Sequence, residues 1–268
     1  MKIAVSGKGG VGKTFIAGTL AAIFARSGQN VIAIDADSSP NLAVTLGLSP
    51  EESAAIVPVA ENEELIEKKT GTTFSGVFRL TFTVDDIISK YAVPTPSGVH
   101  LMVMGTVRSM GGGCMCAAHT LVKALLRHLV EERDELVILD MEAGMEHLGR
   151  GTADHVDNLI VVTDANRKSL EIAGSICRVA STSNIAIIGL VGNRVTGPGQ
   201  EDAIRQFASK NRIRVFALIP YDQQVSDAGV TGSVIDETSS CAFQEIRHLA
   251  DQLVKGSCLR SVHSEPGG

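Results

Sequence analysis

Short apolar runs alternate with stretches of helical spacing through most of the chain. The first run, Ile3-Ala4-Val5, leads into a glycine-rich stretch, after which alanines and leucines recur at helical spacing over 15–27 and stop at Gly28. Asn30–Ile34 reads as a buried strand ending at Asp35-Ala36-Asp37, and 41–47 as a short helix closed by Gly47. Further strands are expected at Val99–Met104, Leu136–Asp140, Asn158–Thr163, Ile185–Gly192 and Arg214–Ile219. Between them the spacing predicts helices over His119–Arg133, Arg167–Ala180 and Gln200–Lys210, with a last one near 241–254. Continuous apolar strands separated by helices are the signature of a mostly parallel sheet covered on both faces, a doubly wound α/β fold. From 49 to 97 the pattern weakens. Glu61–Lys69 and Val84–Tyr91 read as solvated helices, and Pro94, Pro96 and Gly98 mark a loop. This stretch reads as a helical insertion on one side of a single domain spanning 1–255, followed by a polar tail at 256–268 expected to be disordered.

Composition adds limits. The chain has 268 residues, 44% hydrophobic, with a mean hydropathy of +0.17, which is ample for a core. Aromatic residues make up 4% and tryptophan is absent, so that core is aliphatic. A net charge of −6 argues against nonspecific nucleic-acid binding and against a polybasic membrane anchor. No apolar run nears the roughly 20 residues of a spanning helix. Met1-Lys2-Ile3-Ala4-Val5 reads as the first strand and not as a signal peptide, so a cytoplasmic location is expected.

The glycine-rich stretch carries the chemistry. Gly7-Lys8-Gly9-Gly10-Val11-Gly12-Lys13-Thr14 fits G-x-x-x-x-G-K-[ST] between a strand and a helix, the setting in which that spelling means a phosphate-binding loop. The glycines permit a tight backbone whose N–H groups converge on an anion, and the helix N-terminus behind them adds free donors. Residues Gly7 to Phe15 are thus the candidate contacts for ATP or ADP. Lys13 suits the β- and γ-phosphates and the Thr14 hydroxyl suits Mg²⁺. In a doubly wound sheet ligands sit at the carboxyl ends of strands, where Asp35, Asp37 and Asp140 stand. Asp140, closing a hydrophobic strand, suits contact with Mg²⁺ through water, and Asp35 suits support of the metal's water shell. Any one of these aspartates alone could be a strand-end cap.

Lys8 is not required by the minimal pattern. With it, the spelling G-K-G-G-V-G-K-T resembles the deviant Walker A loop of the MinD/ParA/nitrogenase-iron-protein class of ATPases. That resemblance implies a homodimer formed face to face on ATP, with Lys8 reaching the partner's phosphates. It also implies that Asp37, 24 residues after Lys13, orients the attacking water. By the same resemblance Asn193, with Arg194 beside it, reads the adenine edge, and Pro220 and Tyr221 complete the base pocket. Read from the residues alone, Asn193 and Pro220-Tyr221-Asp222 are equally ordinary turn formers.

Of five cysteines, Cys114 and Cys116 stand one residue apart after Gly111-Gly112-Gly113. Two thiolates leave a tetrahedral ion half-coordinated, and a second copy across a dimer axis would supply the other two. Soft sulfur ligands suit Zn²⁺, Ni²⁺, Cu⁺ or an iron–sulfur cluster. Cys177 reads as core, Cys241 and Cys258 lack metal spacing, and His119 at a helix start reads as structural. The segment Asp140–Ala153, together with the loop and Cys-x-Cys, resembles the carbon monoxide dehydrogenase maturation ATPases of the CooC and AcsF type, over residue 1 to about 254. The resemblance implies an ATP- and metal-dependent homodimer. It would carry Ni²⁺ (or Zn²⁺, which fits the same thiolates) and load nickel into a client carbon monoxide dehydrogenase or acetyl-CoA synthase. Ala117 departs from the proline expected there. Glu142, Glu146 and His147 could relay nucleotide state to the cysteines or form a solvated helix start. A positioning ATPase of the MinD/ParA kind, an iron-protein-like reductase and an Mrp-type iron–sulfur carrier share the loop. The first would call for a terminal membrane helix or basic face and the third for Cys-x-x-Cys, neither of which the chain offers; the second supplies well-separated cysteines, and here no second loop cysteine is placed to help.

Overall fold

The computed structural model describes residues 1–261 apart from 38, 70–71, 75–76, 79–83, 106–114, 132–134, 143–154, 184, 232–234 and 236. Strand β1 (Lys2–Gly7) enters helix α1 (Lys13–Arg26), followed by β2 (Val31–Ala36) and the short helices α2 (Leu42–Thr45) and α3 (Pro50–Ala54). A 3-10 turn at Val59–Glu61, α4 (Glu63–Lys69), the hairpin β3 (Thr72–Phe74) and β4 (Val77–Phe78), α5 (Val84–Tyr91) and β5 (Val93–Pro94) come next. The chain continues through β6 (His100–Val103), α6 (Met115–Glu131), β7 (Leu136–Met141), β8 (Asn158–Thr163), α7 (Arg167–Ala180), β9 (Ile187–Val195), α8 (Pro198–Asn211) and β10 (Arg214–Pro220). It closes with α9 (Gln223–Thr231) and α10 (Cys241–Ser261).

One eight-stranded sheet in the order β10-β9-β8-β1-β7-β2-β6-β5 organises the fold. Every pairing in it is parallel except β5 on β6. The doubly wound sheet expected from the pattern is therefore present. Strand alternation divides the core in two. On β1, Ile3 and Val5 face a cluster with Ile16 and Leu20 of α1 and Ile246 and Leu249 of α10, while Ala4 faces Leu121 and Leu125 of α6 and Ala173 of α7. β2 and β7 repeat the division, with Ala33 and Ile138 on the α1 side and Ile34 and Leu139 on the other. Both faces are apolar because both are covered.

The stretch 49–97 holds more than helices. Its first helix carries a capping box, in which the Ser49 side chain accepts from Glu52 N–H and the Glu52 carboxylate accepts from Ser49 N–H. Its last element, β5, adds an antiparallel edge to the main sheet. The final helix passes Gly256 and runs to Ser261, into the stretch expected to be a disordered tail. Residues 262–268 lie outside the described residues. Among the described residues no helix is long and apolar enough to cross a membrane.

Candidate active site

The central strand delivers the loop. Gly7 ends β1 at φ 147°, and a Cβ there would lie 2.2 Å from the Val162 carbonyl oxygen on β8. Only glycine lets these neighbouring backbones approach while the chain turns. The loop then folds over its own lysine. Lys13 is buried, and its Nζ donates to the Lys8 carbonyl at 3.5 Å, a long bond that a phosphate oxygen would readily replace. Two donors reach the loop from β9. Asn193 Nδ2 donates to the Val11 carbonyl at 2.8 Å, and Arg194 Nη1 to the Gly10 carbonyl at 3.1 Å. Gly12, at φ 95°, passes so close that a Cβ would sit 2.3 Å from Asn193 Nδ2.

Asp35 and Asp140 face each other in register across β2 and β7. They share parity with Ala33 and Ile138, which places both on the α1 side. Both are fully buried, yet their surroundings differ. Asp35 is held by three backbone donors: Oδ1 accepts from Asp37 N–H at 3.2 Å, and Oδ2 from Asn41 N–H at 3.0 Å and Leu42 N–H at 2.9 Å. Burial raises its pKa and those three donors oppose the rise. It is the strand-end cap of the β2–α2 turn. Neither oxygen of Asp140 has a hydrogen-bond partner. Burial pushes its pKa to about 7, and Asp35 and Asp37 add to the rise. The Thr14 hydroxyl and the Lys13 ammonium work the other way, the hydroxyl from a position short of normal hydrogen-bond geometry. An orphaned carboxylate beside a threonine hydroxyl fits a hard divalent cation such as Mg²⁺. Bound there, the ion would neutralise charge on the β- and γ-phosphates. Asp37 is half-buried at the mouth of this pair, its Oδ1 accepting from Ser39 N–H at 2.9 Å.

On the base side, Asn193 lies inside β9, not after it, because the strand continues to Val195. Pro220 ends β10, and Tyr221 N–H donates to the Val195 carbonyl at 2.9 Å. Tyr221 is 41% exposed, with its hydroxyl donating to Gln223 Oε1. Phe15 packs edge-on against Phe243 of α10, ring centroids 5.9 Å apart. One residue at this end, read from sequence only as a turn former, does more. Asp222 accepts from Gln224 N–H at 2.9 Å, Ala242 N–H at 3.2 Å and Ser240 Oγ at 2.6 Å, so a single carboxylate caps both α9 and α10. Burial opposes its charge, but these bonds together hold its pKa below the usual carboxylate range. An aspartate immediately before a helix was the available signal.

Cys114, Glu146 and His147 lie outside the described residues; Cys116 lies in α6, its side chain outside the description. Glu142 is half-buried after β7, its carbonyl accepting from Ser6 Oγ at 3.5 Å. Among the described residues no three His, Cys, Asp or Glu side chains gather as a metal site.

A glycine loop from a central parallel strand, a buried lysine beneath it and an orphaned aspartate on the next strand define a P-loop nucleotide hydrolase. Over residues 2–235 the chain matches the CobQ/CobB/MinD/ParA nucleotide binding domain family, and it belongs to that family. It is 39% identical over 244 residues to the carbon monoxide dehydrogenase accessory protein CooC of Rhodospirillum rubrum, covering 90% of this chain and 92% of that one. It is also 39% identical to an uncharacterized ATP-binding protein of Methanocaldococcus jannaschii, covering 95% and 98%. MinD from the Aquifex aeolicus MinC:MinD cell division complex superposes with a TM-score of 0.69 at 18% identity, covering 94% and 95%. The chain is an ATPase of this family.

Proposed function

We propose that the chain is an ATP-driven metallochaperone. In this reading it dimerises on ATP, holds Ni²⁺ (or Zn²⁺) between the Cys114/Cys116 pairs of two copies, and assists nickel insertion into a carbon monoxide dehydrogenase or acetyl-CoA synthase. The observation that carries the reading is 39% identity across nine-tenths of the chain to an accessory protein of carbon monoxide dehydrogenase. The Cys-x-Cys after three glycines supplies soft ligands in a half-complement that a twofold axis completes.

The residues then take the following roles. The amides of Gly9 to Thr14 cradle the phosphates and Lys13 clamps the β- and γ-groups. Thr14 and, through water, Asp140 hold Mg²⁺. Asp37 aligns the attacking water, since phosphoryl transfer asks chiefly for positioning and charge neutralisation. Lys8 of each copy engages the other's phosphates, which closes the dimer and changes the spacing of the cysteine pairs. Hydrolysis resets it, so that metal affinity follows nucleotide state.

Metal titration by native mass spectrometry, with and without ATP, tests the reading. The wild-type dimer is expected to retain a shared Ni²⁺ or Zn²⁺, with an affinity that differs between the two conditions. The Cys114→Ser/Cys116→Ser variant is expected to lose it while still hydrolysing ATP. Retention of the metal by the double variant would overturn the paired-thiolate site. A Lys8→Ala protein that dimerises on ATP and hydrolyses it normally would overturn the coupling.

A further inference from the structure

A loop that turns its N–H groups toward an anion turns its carbonyls the other way, and those carbonyls need donors. Here each has one. The Lys8 carbonyl accepts from Lys13 Nζ and, at 3.5 Å, from Val11 N–H; the Gly12 carbonyl accepts from Ile16 N–H at 3.2 Å. Between them, the carbonyls of Gly10 and Val11 are served by Arg194 and Asn193, successive residues of one strand.

A regular strand could not do this, because successive side chains point to opposite faces. Two departures make it possible. Arg194 adopts the left-handed backbone at φ 57°, strained for any residue but glycine. The ladder also slips at this point: Leu218 pairs with Gly192 and Pro220 with Val195, so β9 carries one residue more than β10 across the interval. This is a bulge, the device that re-aims a side chain beside a site. It brings the guanidinium round to the loop.

A trans peptide is planar, so the Gly10 carbonyl and the Val11 N–H point in opposite directions. Fixing one fixes the other. The bond of Val11 N–H to Lys8 stands at the outer limit of hydrogen-bond length, so it sets that plane weakly. We infer that Arg194 is a positioning residue: the bulge closing β9 aims its guanidinium at the Gly10 carbonyl and thereby holds Val11 N–H toward the nucleotide phosphates. Arg194 acts through the loop and not on the adenine, and the inference stands independently of the metal proposal.

Two variants separate clamp from strain. Arg194→Gly suits φ 57° and lacks the guanidinium; Arg194→Ala lacks both. ADP and AMP affinities are measured by competition against a fluorescent ATP analogue, beside melting curves without nucleotide. Both variants are expected to bind ADP about five- to tenfold more weakly. AMP, which brings no β-phosphate to the loop, is expected to bind as in the wild type, so the preference for ADP over AMP shrinks. Arg194→Gly is expected to melt no lower than the wild type. Unchanged ADP affinity in Arg194→Gly would overturn the clamp. Equal weakening of ADP and AMP would place Arg194 on the nucleoside end, and a melting loss that accounts for the ADP loss would reduce it to a folding role; either result overturns the inference.

Discussion

Asp140 permits a quantitative test of the nucleotide site that does not depend on the proposed metal role. In the nucleotide-free protein its pKa is raised by burial from the ordinary 3.8 to about 7. Between those values the folded protein keeps a proton that the unfolded chain has released. The stability it contributes is therefore full below about pH 4 and is lost as pH rises through about 7. Linkage with these two values gives a loss of about 2.5 kcal/mol between pH 5 and pH 8. Asp140→Asn is neutral throughout and should lack this slope. Urea denaturation of both proteins in EDTA at pH 5 and pH 8 reads the effect. The variant should gain about 2.5 kcal/mol relative to the wild type on going to pH 8, whatever its standing at pH 5. Mg²⁺ and ADP should restore the wild type at pH 8 and do far less for the variant, because the ion pairs the orphaned charge. A relative stability that stays the same at both pH values would refute the account of Asp140 as a buried, unpaired carboxylate.

Asp222→Ala removes the cap of two helices and the anchor of Ser240, and should cost about 2–3 kcal/mol in urea denaturation at pH 7, from about 1 kcal/mol for each cap and the orphaned hydroxyl. Because the Asp222 pKa is lowered in the fold, that difference should be present at neutral pH and shrink as pH falls below the usual carboxylate range. Gly7→Ala places a methyl group 2.2 Å from the Val162 carbonyl oxygen and should lower stability by about 3 kcal/mol or more, read as loss of soluble yield and of the urea midpoint. A wild-type midpoint in that variant would show that β1 and β8 can part without cost.

Much of this arrangement was legible because the same residues that make the fold make the site. The alternation of Ile3, Ala4 and Val5 and the paired runs of β2 and β7 specify a sheet buried on both faces, and that sheet brings Asp35 and Asp140 side by side. What sequence could not separate was the work of the two aspartates. A strand-end carboxylate is wanted equally by a helix cap and by a metal, and only the fold shows that Asp35 accepts from the backbone of 37, 41 and 42 while Asp140 does not. Asn193 and Arg194 were singled out only through the family resemblance, and they were placed beyond the strand. The apolar pattern of β9 stops at Val191, and its last residues are held by pairing with β10 instead. The end of α10 was misjudged for a related reason. Glycine at 256 lowers helix propensity by about 1 kcal/mol, which is too little to end a helix that is already propagating.

The contrast between the two aspartates bears on how nucleotide state could leave the site. Asp35 holds the backbone of 37, 41 and 42 on one carboxylate, and Asp37 hangs from the first of those bonds. Asp140, its neighbour in register, leaves both oxygens open. A cation placed on Asp140 relieves the repulsion that Asp140 and Asp35 exert on each other, so Asp35 would feel its arrival without touching it. Any answering shift of the Asp35 carboxylate would act on the β2–α2 turn through all three bonds at once. The turn would thus answer to the occupancy of Asp140 through geometry that does not depend on the proposed metal cargo.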